Sequence, residues 1–112
     1  MRRGEVWTVS GGNDYAGKPR PVVIVQDDRF DSTDSLTVCL ITSNDTSAPL
    51  FRIPLKPKKE NGLKSACRVM VDKVTTVPRA KVGKKIGVLS AQDVVKLNRL
   101  LVVFLGVAGS KK

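Results

Sequence analysis

The fold is decided by the stretch Gly17-Lys18-Pro19-Arg20-Pro21-Val22-Val23-Ile24-Val25-Gln26, in which a basic turn leads directly into a run of β-branched residues. A run of this kind fits a strand that is buried on both faces. Arg20 lies where the turn becomes strand, between two prolines that restrict the local backbone to extended conformations. Its guanidinium is therefore held in one direction. Arg20 is either an ordinary charged residue at the mouth of a strand or a phosphate ligand that the backbone aims in advance.

Five more stretches have the alternating or centrally apolar pattern of strands. They are residues 4–9, 36–43, 50–55, 65–76 and 83–89. Ser90 and Asp93 then form a capping-box-like pair, which predicts a helix from there to about Leu105, with Gly106 at its end. Short connections favour antiparallel pairing. We predict one domain over residues 1–112, mainly β, with a barrel-like sheet covered by a C-terminal helix.

The composition limits the possible functions. Twenty Lys and Arg against ten Asp and Glu give the 112-residue chain a formal charge of +10. Such a charge indicates a polyanionic partner, which can be nucleic acid, an acidic protein or an anionic membrane surface. The chain has no histidine, which excludes a Ser-His-Asp triad and histidine-ligated metal sites. We predict no metal and no cofactor.

The two cysteines and the apolar segments indicate where the protein acts. Cys39 and Cys67 are far apart and lack CxxC spacing, so we expect two buried free thiols. The residues after Met1 lack the apolar core of a signal peptide. The longest apolar stretch, residues 100–105, is too short to cross a bilayer. We predict a cytoplasmic protein without membrane association.

Several side chains are candidates for a binding or catalytic site. If the second and third strands pair antiparallel, Arg20 and Thr42 meet at one rim of the sheet. Tyr15, in a glycine-containing loop, can stack on a base or simply pack on its own protein. Alternation along the fifth strand places Val74 on one face and Val71 on the other, and it sets Arg68 and Asp72 on the face of Val74. They form either a surface ion pair or part of a groove.

Taken together, these motifs resemble the MazF/PemK (Kid-type) family of toxin–antitoxin endoribonucleases. The resemblance covers nearly the whole chain and depends on the order and spacing of the motifs. They are Arg3–Trp7, Gly17–Ile24, Leu40–Ser43, Ile53–Leu55, Asn61–Leu63, Val69–Val74, Ile86–Ser90 and the closing helix.

The resemblance implies an SH3-like small barrel of five to seven mostly antiparallel strands with a C-terminal helix, assembled as a homodimer. It implies metal-independent cleavage of single-stranded RNA at short sequences. The ribose 2′-hydroxyl attacks the adjacent phosphate, leaving a 2′,3′-cyclic phosphate and a 5′-hydroxyl. A small acidic antitoxin is implied as the partner, and its binding fits the positive charge of the chain.

The resemblance also implies roles for individual residues. The family's catalytic arginine and threonine correspond to Arg20 and Thr42. Gly17, Pro21 and Ser43 are then expected to hold the scissile phosphate and its flanking nucleotides, together with Thr42. Asp72 matches an acidic position that assists some members. Met70 stands where some members carry an arginine, and Arg68 lies two residues earlier on the same face, so the roles of Arg68 and Asp72 are left open.

Two functions without RNA cleavage stay open beside this hypothesis. The same fold carries toxins that poison DNA gyrase by binding it, and a basic barrel can also bind nucleic acid without cutting it. The pairing of Arg20 with Thr42 favours the nuclease, because a gyrase binder does not need it.

Overall fold

The computed structural model describes residues 1–10, 18–44 and 50–107. These residues form six strands and one helix. The elements are β1 (Glu5–Val9), β2 (Arg20–Ile24), β3 (Ser35–Thr42), β4 (Arg52–Leu55), β5 (Cys67–Pro78), β6 (Val82–Val88) and α1 (Ala91–Phe104). Short 3-10 turns at Asp28–Phe30 and Arg79–Lys81 connect the strands around them.

The strands form a single sheet in the order β4-β5-β3-β2-β1-β6, and the neighbouring strands pair antiparallel. The prediction of a mainly β fold with five to seven mostly antiparallel strands and a C-terminal helix is confirmed. The predicted barrel is not closed by strand pairing, because β4 and β6 are the two edges of the sheet. The gap at these edges is bridged by the turn after β4. In that turn, the carbonyl oxygen of Glu60 accepts a hydrogen bond of 2.8 Å from the amide of Val88.

Asn61 holds this bridging turn in place. Its side chain is buried, and its Oδ1 accepts hydrogen bonds from the amides of Lys58 and Leu63 at 3.1 and 3.0 Å. Its Nδ2 donates to the carbonyl oxygen of Lys56 at 2.9 Å. A buried amide that is satisfied on both of its polar atoms fixes one loop conformation. The segment after the turn is thereby held against β6.

The sheet carries two hydrophobic cores. The larger core packs beneath α1 and includes Val6, Val23, Ile41, Val69, Val71 and Leu97. The smaller core lies among the first three strands and consists of Val9, Val22, Ile24, Leu36 and Val38. Alternate residues of β2 enter different cores, since Val22 joins the smaller and Val23 the larger. β2 is therefore buried on both faces, as its β-branched run predicts.

The helix α1 begins and packs as its sequence predicts. The Ser90 side chain accepts a hydrogen bond from the amide of Asp93 at 3.1 Å, which caps the N-terminus. Leu97 and Leu101 are buried against the sheet. Other apolar residues at and beyond its C-terminal end are exposed: Val102, Val103, Phe104, Leu105 and Val107. The helix thus buries one stripe and leaves an apolar end exposed.

Glu5 links β1 to its surroundings through a nearly buried carboxylate. Its Oε1 accepts hydrogen bonds of 2.9 Å from the amide of Arg2 and from Trp7 Nε1, and its Oε2 lies 3.0 Å from Lys85 Nζ. Burial alone would raise the pKa of Glu5. The hydrogen bonds and the Lys85 charge outweigh burial and lower the pKa to about 2.

Replacing Glu5 with glutamine is expected to lower the free energy of unfolding by about 3 kcal/mol at neutral pH. A carboxylate with a depressed pKa stabilises the fold fully above its ordinary pKa of 4.5, and this stabilisation is lost as the pH falls towards about 2. The difference between wild type and Glu5→Gln should therefore shrink across that window. Urea unfolding at several pH values measures it, and a difference that does not change with pH would contradict this assignment.

Candidate active site

Arg20 and Thr42 lie at the same end of neighbouring antiparallel strands. β2 and β3 pair with Val22 opposite Leu40. Arg20 is the first residue of β2 and Thr42 is the last residue of β3, so both lie just beyond this end of the pairing. Both residues line one small pocket. The structure therefore brings the two predicted residues together at one rim of the sheet.

Arg68 lies beside Thr42 on the next strand of the sheet, β5. It lies opposite Thr42 in the pairing of β3 with β5. Its Nη1 donates a hydrogen bond to the carbonyl oxygen of Asn44 at 3.2 Å, just beyond the end of β3. Two arginines therefore flank one threonine across three adjacent strands. This arrangement concentrates positive charge beside a hydroxyl group.

A small pocket of about 80 Å³ is formed at this rim. It is lined by Arg20, Leu40, Ile41, Thr42 and Met70. Thr42 Oγ1 accepts a hydrogen bond from the amide of Asn44 at 3.1 Å, which orients the side chain. Because the oxygen acts as the acceptor there, its own proton can be donated to a ligand. The pocket thus offers a guanidinium and a hydroxyl donor within a small apolar recess.

Arg20 also borders a larger cavity of about 400 Å³ on the other side of the rim. Pro21 and Ser43, both predicted to contact RNA, line this cavity. Lys64 and Ser65 line this cavity as well, although no sequence motif pointed to them. The sequence feature that could have indicated Lys64 and Ser65 is that a basic residue and a hydroxyl-bearing residue directly follow the Asn61–Leu63 turn. Their approach to Arg20 depends on how that turn folds onto β6.

Asp72 has a partner that the sequence did not indicate. Its Oδ1 lies 3.5 Å from Arg52 Nε, and both side chains are mostly buried, with 21 % and 17 % exposed. Asp72 therefore pairs with Arg52 of the edge strand β4 and not with Arg68, so the interpretation of Arg68 and Asp72 as a surface ion pair is wrong. The registers explain the difference, since β5 sets Arg52 opposite Met70 and Thr42 opposite Arg68.

Two predicted site residues, Tyr15 and Gly17, lie outside the described residues. Their assignment as RNA-binding residues stays a prediction.

The two cysteines differ in position, since Cys67 lines the larger cavity beside Arg20 whereas Cys39 is fully buried in the core. Cys39 and Cys67 are both buried and have free thiols. Burial raises the pKa of Cys39 to about 12, so its thiol stays protonated at neutral pH. Within residues 1–10, 18–44 and 50–107, no three His, Cys, Asp or Glu side chains are grouped so that they could hold a metal ion.

Comparison with known proteins identifies the family. Residues 2–105 match the family described as the PemK-like, MazF-like toxin of type II toxin–antitoxin systems. The chain belongs to this family. It is 50% identical over 109 residues to the probable endoribonuclease MazF of Mycolicibacterium smegmatis, covering 97% of this chain and 100% of that protein. It is 28% identical over 114 residues to the endoribonuclease MazF9 of Mycobacterium tuberculosis, covering 94% of this chain and 96% of that protein.

Solved structures of the family share the fold. One is an endoribonuclease in complex with its cognate antitoxin from a mycobacterial species, with a TM-score of 0.80, 21% identity and coverage of 98% of this chain and 99% of that chain. At this identity the likeness establishes the fold alone. No helix among the described residues of this family member is long and apolar enough to span a membrane.

Proposed function

We propose that this chain is a sequence-specific endoribonuclease toxin that cleaves single-stranded RNA without a metal ion, with Arg20 and Thr42 as its catalytic residues. The observation that carries the proposal is the shared pocket of these two side chains at one rim of the sheet. The 50% identity to a protein named as a probable endoribonuclease supports the activity. The absence of histidine favours a mechanism that uses other donors.

The proposed reaction is an intramolecular transesterification at phosphorus. The ribose 2′-oxygen forms a bond to the adjacent phosphorus while the bond from phosphorus to the 5′-oxygen of the next nucleotide breaks. The 2′-hydroxyl gives up its proton, and the departing 5′-oxygen takes one up. The products are a 2′,3′-cyclic phosphate and a 5′-hydroxyl. Negative charge accumulates on the non-bridging phosphate oxygens in the transition state.

Arg20 and Thr42 suit the stabilisation of that charge. A guanidinium remains charged at neutral pH and presents several N–H donors in a planar fork that matches phosphate oxygens. We assign Arg20 the role of a charge clamp and Thr42 the role of a hydroxyl donor to the same phosphate. Donors held in place before reaction are often the largest contribution to catalysis, and one such donor is worth about 10²–10³-fold in rate.

The surrounding residues are proposed to hold the RNA on either side of the reacting phosphate. Arg68 lies opposite Thr42 on β5 and can bind a neighbouring phosphate. Pro21 and Ser43 border the larger cavity next to Arg20, which can receive a base splayed out of a single strand. Gly17 and Tyr15, which precede β2 in the sequence, are proposed to contact RNA as well. Asp72 is given no direct role, because it pairs with Arg52.

The assembly is proposed to be a cytoplasmic, single-domain toxin that forms a homodimer and is inhibited by a small acidic antitoxin. The exposed apolar end of α1 supports dimer formation, because a contiguous apolar patch on a small protein usually marks an interface. The formal charge of +10 supports an acidic inhibitor. A similar structure is named as an endoribonuclease in complex with its cognate antitoxin.

The proposed function is tested by incubating the purified protein with a mixed single-stranded RNA in EDTA. We expect cleavage at a short recurring sequence, with 2′,3′-cyclic phosphate and 5′-hydroxyl ends identified by mass spectrometry. A DNA oligonucleotide of the same sequence is the control and should stay intact, since it lacks the attacking hydroxyl. Intact RNA in the presence of folded protein would contradict the proposal, and trapped cleavage complexes of DNA with gyrase would then favour the gyrase poison.

A further inference from the structure

The backbone of Asn44 connects Thr42 with Arg68. The amide of Asn44 donates a hydrogen bond of 3.1 Å to Thr42 Oγ1, and its carbonyl oxygen accepts one of 3.2 Å from Arg68 Nη1. Asn44 lies just beyond the end of β3, and Arg68 lies opposite Thr42 on β5. Both polar groups of the Asn44 backbone therefore contact side chains at the rim of the sheet where the reaction is proposed to take place.

The two hydrogen bonds of Asn44 differ in what supports them. The bond between Thr42 and Asn44 is local, since a threonine hydroxyl often accepts from the amide two residues later. A local bond of this kind is weak support on its own, because residues in a loop open more readily than residues in a strand. The bond from Arg68 comes from a different strand, at a separation of 24 residues in the sequence. Arg68 therefore anchors the residue beyond β3 to the sheet.

The proposed reaction requires one orientation of the Thr42 hydroxyl. Because Oγ1 accepts a hydrogen bond from the Asn44 amide, its own proton can be donated to the phosphate. The other residues that line the small pocket are three apolar side chains and one cation: Leu40, Ile41, Met70 and Arg20. Among these described residues, none carries a carboxylate or an imidazole that could orient the hydroxyl. The orientation of Thr42 therefore depends on the position of Asn44.

We propose that Arg68 is a positioning residue for RNA cleavage, which acts through Asn44 to hold the Thr42 hydroxyl towards the reacting phosphate. This inference rests on the proposed function. Without the guanidinium, the carbonyl of Asn44 is released from β5, and Thr42 loses the fixed amide that directs its proton. A displacement of about 1 Å in a catalytic group can slow a reaction by about 10²-fold, even where the substrate still binds.

Direct binding of a neighbouring RNA phosphate by Arg68 predicts different kinetics from positioning. Loss of a phosphate contact weakens the binding of RNA and leaves the rate at saturation nearly unchanged. Loss of positioning lowers the rate at saturation and leaves RNA affinity nearly unchanged. The structure favours positioning, because Arg68 Nη1 is bonded to the same residue that orients Thr42.

The test compares Arg68→Ala and Arg68→Lys with a control, Lys73→Ala. Lys73 is exposed further along β5, and its removal changes the net charge by the same amount as Arg68→Ala. Single-turnover cleavage rates are measured at saturating protein, and affinities are measured with an RNA that has a 2′-deoxy residue at the cut site.

For Arg68→Ala we expect a rate at saturation about tenfold or more below wild type, with a loss of affinity below about threefold. Arg68→Lys should recover most of the rate, because its ammonium group can also donate to the carbonyl oxygen of Asn44. Lys73→Ala should cleave within about twofold of the wild-type rate, since an exposed charge at that distance is screened by salt.

A second measurement reports the Thr42 side chain without RNA. Three-bond NMR couplings to the Thr42 methyl carbon distinguish a single χ1 rotamer from an average over several. We expect a single rotamer in wild type, Arg68→Lys and Lys73→Ala, and averaged couplings in Arg68→Ala. If the wild type does not cut RNA, the nuclease proposal fails, whereas the couplings still decide whether Arg68 holds Thr42.

Three results would overturn the positioning role of Arg68. One is that the Thr42 couplings are unchanged in Arg68→Ala. Another is a loss of RNA affinity of about tenfold or more in Arg68→Ala with the wild-type rate at saturation, which would assign Arg68 to phosphate binding. The third is an equal loss of rate in Arg68→Ala and Lys73→Ala, which would indicate an effect of net charge alone.

Discussion

Replacing Arg20 with alanine is expected to slow RNA cleavage by about 10³-fold while the fold is retained. The side chain lies at a strand mouth and is exposed, so its removal leaves no cavity in either core. The substitution removes the guanidinium that is proposed to stabilise the negative charge of the reacting phosphate. Arg20→Lys keeps the charge but not the planar fork, and we expect it to recover only part of the rate. The measurement is the single-turnover cleavage rate of an RNA that contains one cut site.

The matched control for this prediction is Arg29→Ala. Arg29 is also an exposed arginine, and it pairs with Asp27 in the turn after β2, at 3.0 Å. Its removal lowers the net charge by the same amount without touching the pocket. A similar loss of rate in both variants would show that Arg20 acts only through the overall charge of the protein.

Replacing Gly62 with alanine is expected to destabilise the protein by about 4 kcal/mol or more, a large part of the stability of a small domain. Gly62 has a φ of 71°, which favours glycine. An added Cβ would also overlap the carbonyl group of Ile86 on β6. The bridging turn would then have to move away from β6, and the connection between the two edges of the sheet would be lost. Urea unfolding at a fixed protein concentration measures the change.

Gly106 and Gly87 separate the two causes of this destabilisation. Gly106 has a nearly identical φ of 72°, but nothing lies within 4 Å of an added Cβ, so Gly106→Ala should cost only about 1 kcal/mol of backbone strain. Gly87 does not have a positive φ, but a Cβ added there would overlap the backbone of Asn61. Gly87→Ala therefore tests steric overlap between the turn and β6 without backbone strain. If Gly62→Ala proves no worse than Gly106→Ala, the close packing of the turn on β6 is not important for stability.

The sequence predicted the elements well where one local pattern governed them. The β-branched run after Arg20 predicted a strand buried on both faces, and the Ser90 cap predicted the start of α1. It failed within β5, where strict alternation placed Val74 on the face opposite Val71. The register with β3 shifts between Cys39 and Leu40, so Val74 packs against the same core as Val71. A shift of this kind depends on the partner strand and leaves no local signal.

The candidate site was predictable to a similar extent. The meeting of Arg20 and Thr42 followed from antiparallel pairing of two consecutive strands, which is the commonest arrangement. The pairing of Asp72 with Arg52 depends on the register of β4 against β5, and a single sequence does not fix that register. Lys64 approaches the larger cavity only because Asn61 shapes the preceding turn. Contacts set by loop conformation and strand register therefore required the structure.

The proposed role of Arg20 is to stabilise the reacting phosphate and not merely to attract RNA. It is tested most directly by measuring, for wild type and Arg20→Ala, both the single-turnover rate at saturating protein and the affinity for an RNA with a 2′-deoxy residue at the cut site. We expect a loss of rate of about 10³-fold with a loss of affinity below about tenfold. A variant that binds much more weakly but cleaves at the wild-type rate once saturated would contradict it.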